Sequence, residues 1–139
     1  MELITTHMIR DSDLGYHSNL FGGFLLAWLD EAGVAFACQL CDTPRMVTVS
    51  MKDTHFVNPV KAGQILKIYA QVSEIGGSSV TLDMEARRHN VYSGKQKIVL
   101  KTQVSYVRID EDGSSIPISE RVHKKHPSKS RKLKSANGL

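Results

Sequence analysis

From Phe24 to Leu40 the chain is apolar on almost every side of a helix: Phe24, Leu25, Leu26, Ala27, Trp28, Leu29, Ala32, Val34, Ala35, Phe36 and Ala37 leave no continuous polar face. A helix hydrophobic all round must be surrounded. The longest apolar run, Phe21 to Cys38, is about as long as a membrane span, but Asp30 and Glu31 stand at its centre. Each charge there would cost about 2.5 kcal/mol or more in lipid. A buried helix, with no membrane span, is therefore expected. In a chain of 139 residues, sized for one domain, a sheet curling around that helix is the economical enclosure.

The remaining body reads as strands. Met46–Met51 is a β-branched run, and Gln64–Ile75 sets Leu66, Ile68, Ala70 and Val72 on one side. Ser79–Arg87 alternates Val80, Leu82, Met84 and Ala86 against Thr81, Asp83 and Glu85, and Lys97–Ile109 alternates again. Period two over such lengths marks half-buried strands. Asn58-Pro59, Ala62-Gly63, Gly76-Gly77, Ser93-Gly94 and Asp112-Gly113 supply the turns between them. One long helix followed by an antiparallel meander predicts an α+β domain, the sheet wrapped on a central helix.

The net charge of +4 conceals two unlike regions. Residues 123–139 hold Lys124, Lys125, Lys129, Arg131, Lys132 and Lys134 and no acid, leaving residues 1–122 with a net charge of −2. Such a segment, poor in large aliphatics, is expected to be disordered and dispensable for folding. The domain is accordingly placed at residues 1–121 and a basic tail at 122–139. No specific nucleic-acid partner is implied, since no helix-turn-helix is evident. Cys38 and Cys41 stand three apart, but no second Cys/His pair lies at zinc-site spacing, so buried reduced thiols and no metal are expected. Met1 to Asp13 lacks the pattern of a secretory signal. Both readings point to the cytoplasm.

Two features carry chemistry. Gly22-Gly23 opens the helix, where free amides and the helix dipole can receive a developing oxyanion. Asp30 lies two turns further on; a carboxylate buried there needs a partner or a task. Helical geometry sets Asp30 and Glu31 about 100° apart, so only one of them faces a given site.

The run His17-Ser18-Asn19-Leu20-Phe21-Gly22-Gly23-Phe24-Leu25-Leu26-Ala27-Trp28-Leu29-Asp30-Glu31-Ala32-Gly33 resembles the motif of hotdog-fold acyl-CoA thioesterases of the cytosolic, or brain-type, acyl-CoA hydrolase family. His55-Phe56-Val57-Asn58-Pro59-Val60-Lys61-Ala62-Gly63 and Tyr106 to Gly113 resemble later blocks of the same family, so the likeness covers roughly residues 5–118. It implies hotdog dimers, often assembled further into trimers of dimers, with active sites at the dimer interface. It implies hydrolysis of a fatty acyl-CoA to free acid and coenzyme A, with coenzyme A belonging to the substrate and no separate cofactor. Asp30 matches the helix-borne acid that acts as base or nucleophile, and Asn19 the polar residue that places water or substrate. Gly22 and Gly23 match the donors to the thioester carbonyl.

One departure concerns the nucleotide. Many relatives carry an arginine before Thr or Ser at the turn where this chain has Gly76-Gly77-Ser78-Ser79. Ser78, Ser79, Arg87 and Arg88 are the candidates for holding coenzyme A, with Lys61 or the basic tail as further cations. The competing reading is a non-catalytic acyl-CoA-binding or sensing protein on the same fold. Asp30 favours catalysis, because a pure binder would gain by losing a buried acid.

Overall fold

The structure is a computed structural model and describes residues 1–136. A five-stranded antiparallel sheet carries one long helix, α1 (Gly22–Cys41), across one face. The strands are β1 (Glu2–Met8), β2 (Met46–Phe56), β3 (Ile65–Ile75), β4 (Ser79–His89) and β5 (Gln96–Arg108), and their spatial order is β1-β3-β4-β5-β2. Strands β3, β4 and β5 form the expected meander. Strand β2 does not join it in sequence order: it crosses to the far edge and pairs only with β5. Strand β1, which the polar N-terminus did not announce, covers the other edge by pairing with β3.

The alternation in β4 shows why these residues make a sheet. Val80, Leu82, Met84 and Ala86 are all buried at the centre, and their neighbours point away. Burying each of the larger side chains contributes about 1.5–3 kcal/mol. At the far end of the β4–β5 hairpin Gly94 adopts φ +73°, a conformation a side chain would oppose. The Asn90 carboxamide oxygen receives the Tyr92 and Ser93 amides and organises the turn.

The helix is not enclosed by its own sheet, contrary to what its composition suggests. Only the stripe Leu25, Leu29, Gly33, Ala37 and Cys41 is buried, one residue per turn against the sheet. The other sides are half-covered or open, with Phe21 and Phe24 exposed at its start. By length and hydropathy α1 could cross a bilayer, yet its buried stripe already lies on the sheet. It ends at Asp42, which takes the left-handed conformation and returns its amide to the Cys38 carbonyl. Burial raises the Cys41 thiol to about 11, with Cys38 and Asp42 adding to the shift, so it packs as an inert apolar group.

The C-terminal segment also departs from expectation. Residues Glu120–Lys125 form α2 and Arg131–Ala136 form α3, so the expected tail is helical where it is described; its residues 137–139 lie outside the described residues. The segment docks on the end of β3: the Ile75 amide donates to the Lys129 carbonyl at 2.8 Å. Val122, His123 and Ser130 are buried there, and the His123 ring and Ser130 hydroxyl satisfy one another at 2.5 Å. Composition misled because the lysines point outward, while a few small or neutral residues make the contact.

Candidate active site

Asp30 sits midway along α1, half-buried, on the side of the helix that faces β5 and β2. The Thr48 hydroxyl donates to its Oδ1 at 2.7 Å. The Tyr106 hydroxyl reaches the same oxygen and the Asp30 backbone carbonyl, both at a weaker 3.4 Å. Thr48 and Tyr106 are direct cross-strand partners on β2 and β5, so the sheet register delivers both hydroxyls to one carboxylate. Tyr106 is fully buried. Burial, then the charge and hydrogen bond of Asp30, push its phenol well above the ordinary tyrosine value, so it remains a donor. Among the described residues no donor reaches Oδ2, which leaves that oxygen for water or substrate.

Gly33 makes this approach possible. A Cβ there would collide with the Tyr106 hydroxyl and lie 2.9 Å from the Met84 sulfur. The helix therefore seats its fourth turn directly on Tyr106. Glu31 faces elsewhere, into a groove between α1 and the edge strand β1 that Trp28 and His7 also line. The two neighbouring acids are divided as helical geometry requires, and Asp30 alone has the hydroxyl partners.

The start of α1 is a second centre. Its N-cap residue, Phe21, supplies no side-chain acceptor. The amides of Phe24 and Leu25 return to the Phe21 carbonyl, while those of Gly22 and Gly23 have no partner among the described residues. The entering loop is pinned by Asp13, whose carboxylate receives the Arg10 amide and whose carbonyl receives the Phe21 amide. A Cβ on Gly22 would meet the Phe56 ring at 3.3 Å, so that glycine admits the close approach of β2. Asn19 lies at this entrance and not beside Asp30: its Oδ1 receives the Lys61 ammonium at 3.2 Å.

The two centres are separated within one chain. Seven helical residues between Gly23 and Asp30 span about 10 Å, too far for amides and carboxylate to touch one carbonyl group. Asp30 instead lies beside β2, an edge strand with one side unpaired.

The remaining candidates divide as well. Ser78 and Ser79 stand at the β3–β4 turn, Arg87 and Arg88 near the other end of β4, about 26 Å away along a strand. These four side chains cannot gather on one phosphate within a single chain. Arg87 is already occupied: it pairs with Glu85 at 2.8 Å and lies 4.0 Å over the Tyr69 ring. Arg88 donates to the Pro59 carbonyl at 2.8 Å and has no acidic partner among the described residues. No group of three or more His, Cys, Asp or Glu residues suited to a metal ion occurs among the described residues.

Thr48, Tyr106 and Gly33 were not singled out from the sequence. Gly33 offered a signal, a glycine inside a strongly helical run. Thr48 and Tyr106 offered none, because their role follows from strand register.

Residues 17–95 match the family described as the Thioesterase superfamily. An uncharacterized acyl-CoA thioester hydrolase of Buchnera aphidicola subsp. Schizaphis graminum is 31% identical over 105 residues, which are 73% of this chain and 77% of that protein. The acyl-CoA thioester hydrolase YciA of Salmonella typhimurium is 27% identical over 120 residues, 84% of this chain and 90% of its own. Among solved structures, Cj0915, a hexameric hotdog fold thioesterase of Campylobacter jejuni, superposes with a TM-score of 0.80 at 32% identity, covering 91% of this chain and 97% of that one.

Proposed function

This chain belongs to the thioesterase superfamily, and on that premise we propose that it hydrolyses acyl-CoA thioesters at a site completed by a second copy of itself. The observation that carries this reading is the Asp30 carboxylate, held through one oxygen by Thr48 while the other stays open beside the free edge of β2. Thioester hydrolysis needs a proton acceptor for water and donors for the oxyanion. One chain holds both kinds of group but sets them too far apart. Pairing β2 of two copies edge to edge brings the carboxylate of one subunit toward the helix entrance of the other. It also covers exposed apolar surface: Val49 and Phe56 on β2, each 55% exposed, and Phe21 at the entrance. A dimer is thus the minimum unit, and assembly of dimers into a hexamer fits the hexameric relative.

In this mechanism the thioester carbonyl oxygen lies against the Gly22 and Gly23 amides of one subunit. Asp30 of the other takes a proton from water as the water attacks the carbonyl carbon. The tetrahedral intermediate then expels the coenzyme A thiolate. Attack by Asp30 itself, giving a mixed anhydride that water hydrolyses, uses the same geometry. Asn19, held by Lys61 at the entrance, orients substrate. Coenzyme A arrives with the substrate, and the mechanism calls on no other cofactor. The reaction belongs in the cytoplasm, where Cys38 and Cys41 stay reduced.

The test is thiol release from a series of acyl-CoA esters of increasing chain length, with acyl-CoA binding followed in parallel. Turnover of at least part of the series is expected. Tight binding without thiol release across the series would instead establish a sensor.

A further inference from the structure

Lys61 is exposed and has no acidic partner among the described residues, yet its backbone is pinned on both sides. The Pro59 carbonyl receives Arg88 at 2.8 Å, the Val60 carbonyl receives the Leu20 amide at 2.7 Å, and the Gly63 amide donates to the Ile9 carbonyl at 2.7 Å. The Lys61 amide donates to the Gln64 side-chain oxygen at 2.9 Å, and the neighbouring Val60 side chain is buried. From this fixed start the ammonium reaches the Asn19 Oδ1 at 3.2 Å. The backbone around Asn19 is constrained as well. Its carbonyl receives the Gly15 amide at 2.7 Å, and Ser18 before it is left-handed at φ 60°.

This contact decides which end of the Asn19 carboxamide a substrate meets. An ammonium donates and has nothing to accept with, whereas a carboxamide accepts at oxygen and donates at nitrogen. Only the oxygen can therefore face Lys61; turned the other way, N–H groups would oppose N–H groups. Nδ2 becomes the free end, and no described residue accepts from it. The cation also polarises the amide and strengthens its N–H groups as donors. The backbone amides that follow are Leu20 and Phe21, spent on the Val60 and Asp13 carbonyls, and then the open pair of Gly22 and Gly23. We infer that Lys61 is a positioning residue of the hydrolysis: it fixes the Asn19 carboxamide with Nδ2 outward, so that Asn19 donates to the thioester carbonyl beside Gly22 and Gly23 and does not accept from water. The inference rests on the acyl-CoA reading above.

The test measures thiol release by the full chain from an acyl-CoA and from the same acyl group on pantetheine, which lacks the nucleotide. Lys61→Met keeps the stem and removes the charge. Its kcat should fall about fivefold or more on both esters while KM stays within about twofold, and Lys61→Arg should restore most of the loss. Adding Lys61→Met to Asn19→Ala should lower kcat no further, because the lysine acts through the asparagine. Asn19→Asp still accepts from Lys61 but has no N–H to offer, so it should be as impaired as Asn19→Ala. An Asn19→Asp enzyme that keeps most of its kcat, or losses from Lys61→Met and Asn19→Ala that simply multiply, would overturn the assignment. So would a rise in KM for acyl-CoA alone, which would put Lys61 on the phosphates. If the wild-type protein turns over neither ester, it is the thioesterase reading that fails. The heteronuclear NOE of the Asn19 side-chain amide, a signal identified by its loss in Asn19→Ala, then decides the role of Lys61 separately. An amide ordered in wild type and mobile in Lys61→Met supports it, and an amide unaltered by that substitution overturns it.

Discussion

At the scale of single residues, Asp30 depends on a hydroxyl from β2 and a helix seat made by Gly33. Thr48 donates a charge-assisted bond to the carboxylate, an interaction of about 1.5–3 kcal/mol. Thr48→Val is therefore expected to lower kcat about tenfold or more with little change in KM, and Thr48→Ser to restore most of it; steady-state thiol release measures both. Gly33→Ala would drive a methyl group into the Tyr106 hydroxyl. Overpacking of this kind costs about 1–3 kcal/mol, so a lower midpoint in urea unfolding is expected. Asp30 was legible in the sequence because a lone acid pair in an apolar helix demands an explanation. Its partners were not, because Thr48 and Tyr106 are ordinary strand residues until register places them side by side. Asn19 was legible as a residue of the helix entrance, but its contact with Lys61 links residues far apart in sequence.

At the scale of elements, alternation located β4 and β5 and continuous apolarity located α1. Nothing in the composition of β2 showed that it would leave the meander for the far edge, because strand order depends on pairing partners that period two cannot distinguish. The N-terminal strand β1 escaped notice since its residues, half-exposed on an edge, carry little hydrophobic signal. The C-terminal helices illustrate the opposite error, in which bulk composition outweighed a few buried anchors. Truncation after residue 121 removes Val122, His123 and Ser130 from the end of β3. A fall in Tm of about 5 °C or more is expected, measurable by calorimetry. Burial lowers the pKa of His123 below the usual histidine value. The unfolded segment then binds more protons than the docked one just below pH 6.5, so docking is strongest above that pH and weakens as the pH falls. Hydrogen-exchange protection factors at Ile75 and Ser130, whose amides donate to the Lys129 and His126 carbonyls, should fall on acidification from pH 7.5 to 5.5 once the intrinsic exchange rate is divided out, whereas a His123→Gln variant should show no such fall.

At the scale of the whole molecule, one chain leaves β2 with an unpaired edge, α1 half-covered and the two chemical centres about 10 Å apart. In the proposed dimer a second copy answers all three. Val49→Asp places a charge on the exposed edge strand and should shift light-scattering mass toward the monomer, with turnover falling in proportion. A monomer of full activity would show that each site is complete in one chain. The central claim is that Asp30 performs the chemistry, and the most direct measurement is thiol release by Asp30→Asn beside Glu31→Gln, with oligomeric mass and acyl-CoA binding confirmed for each. Asn keeps the size of the side chain and can still accept from Thr48, but it cannot take the proton. Asp30→Asn should lose about 10²–10⁴ in kcat/KM while Glu31→Gln stays near wild type. An Asp30→Asn enzyme that keeps more than about a tenth of wild-type kcat/KM, or a Glu31→Gln enzyme that is the more damaged of the two, would contradict the account.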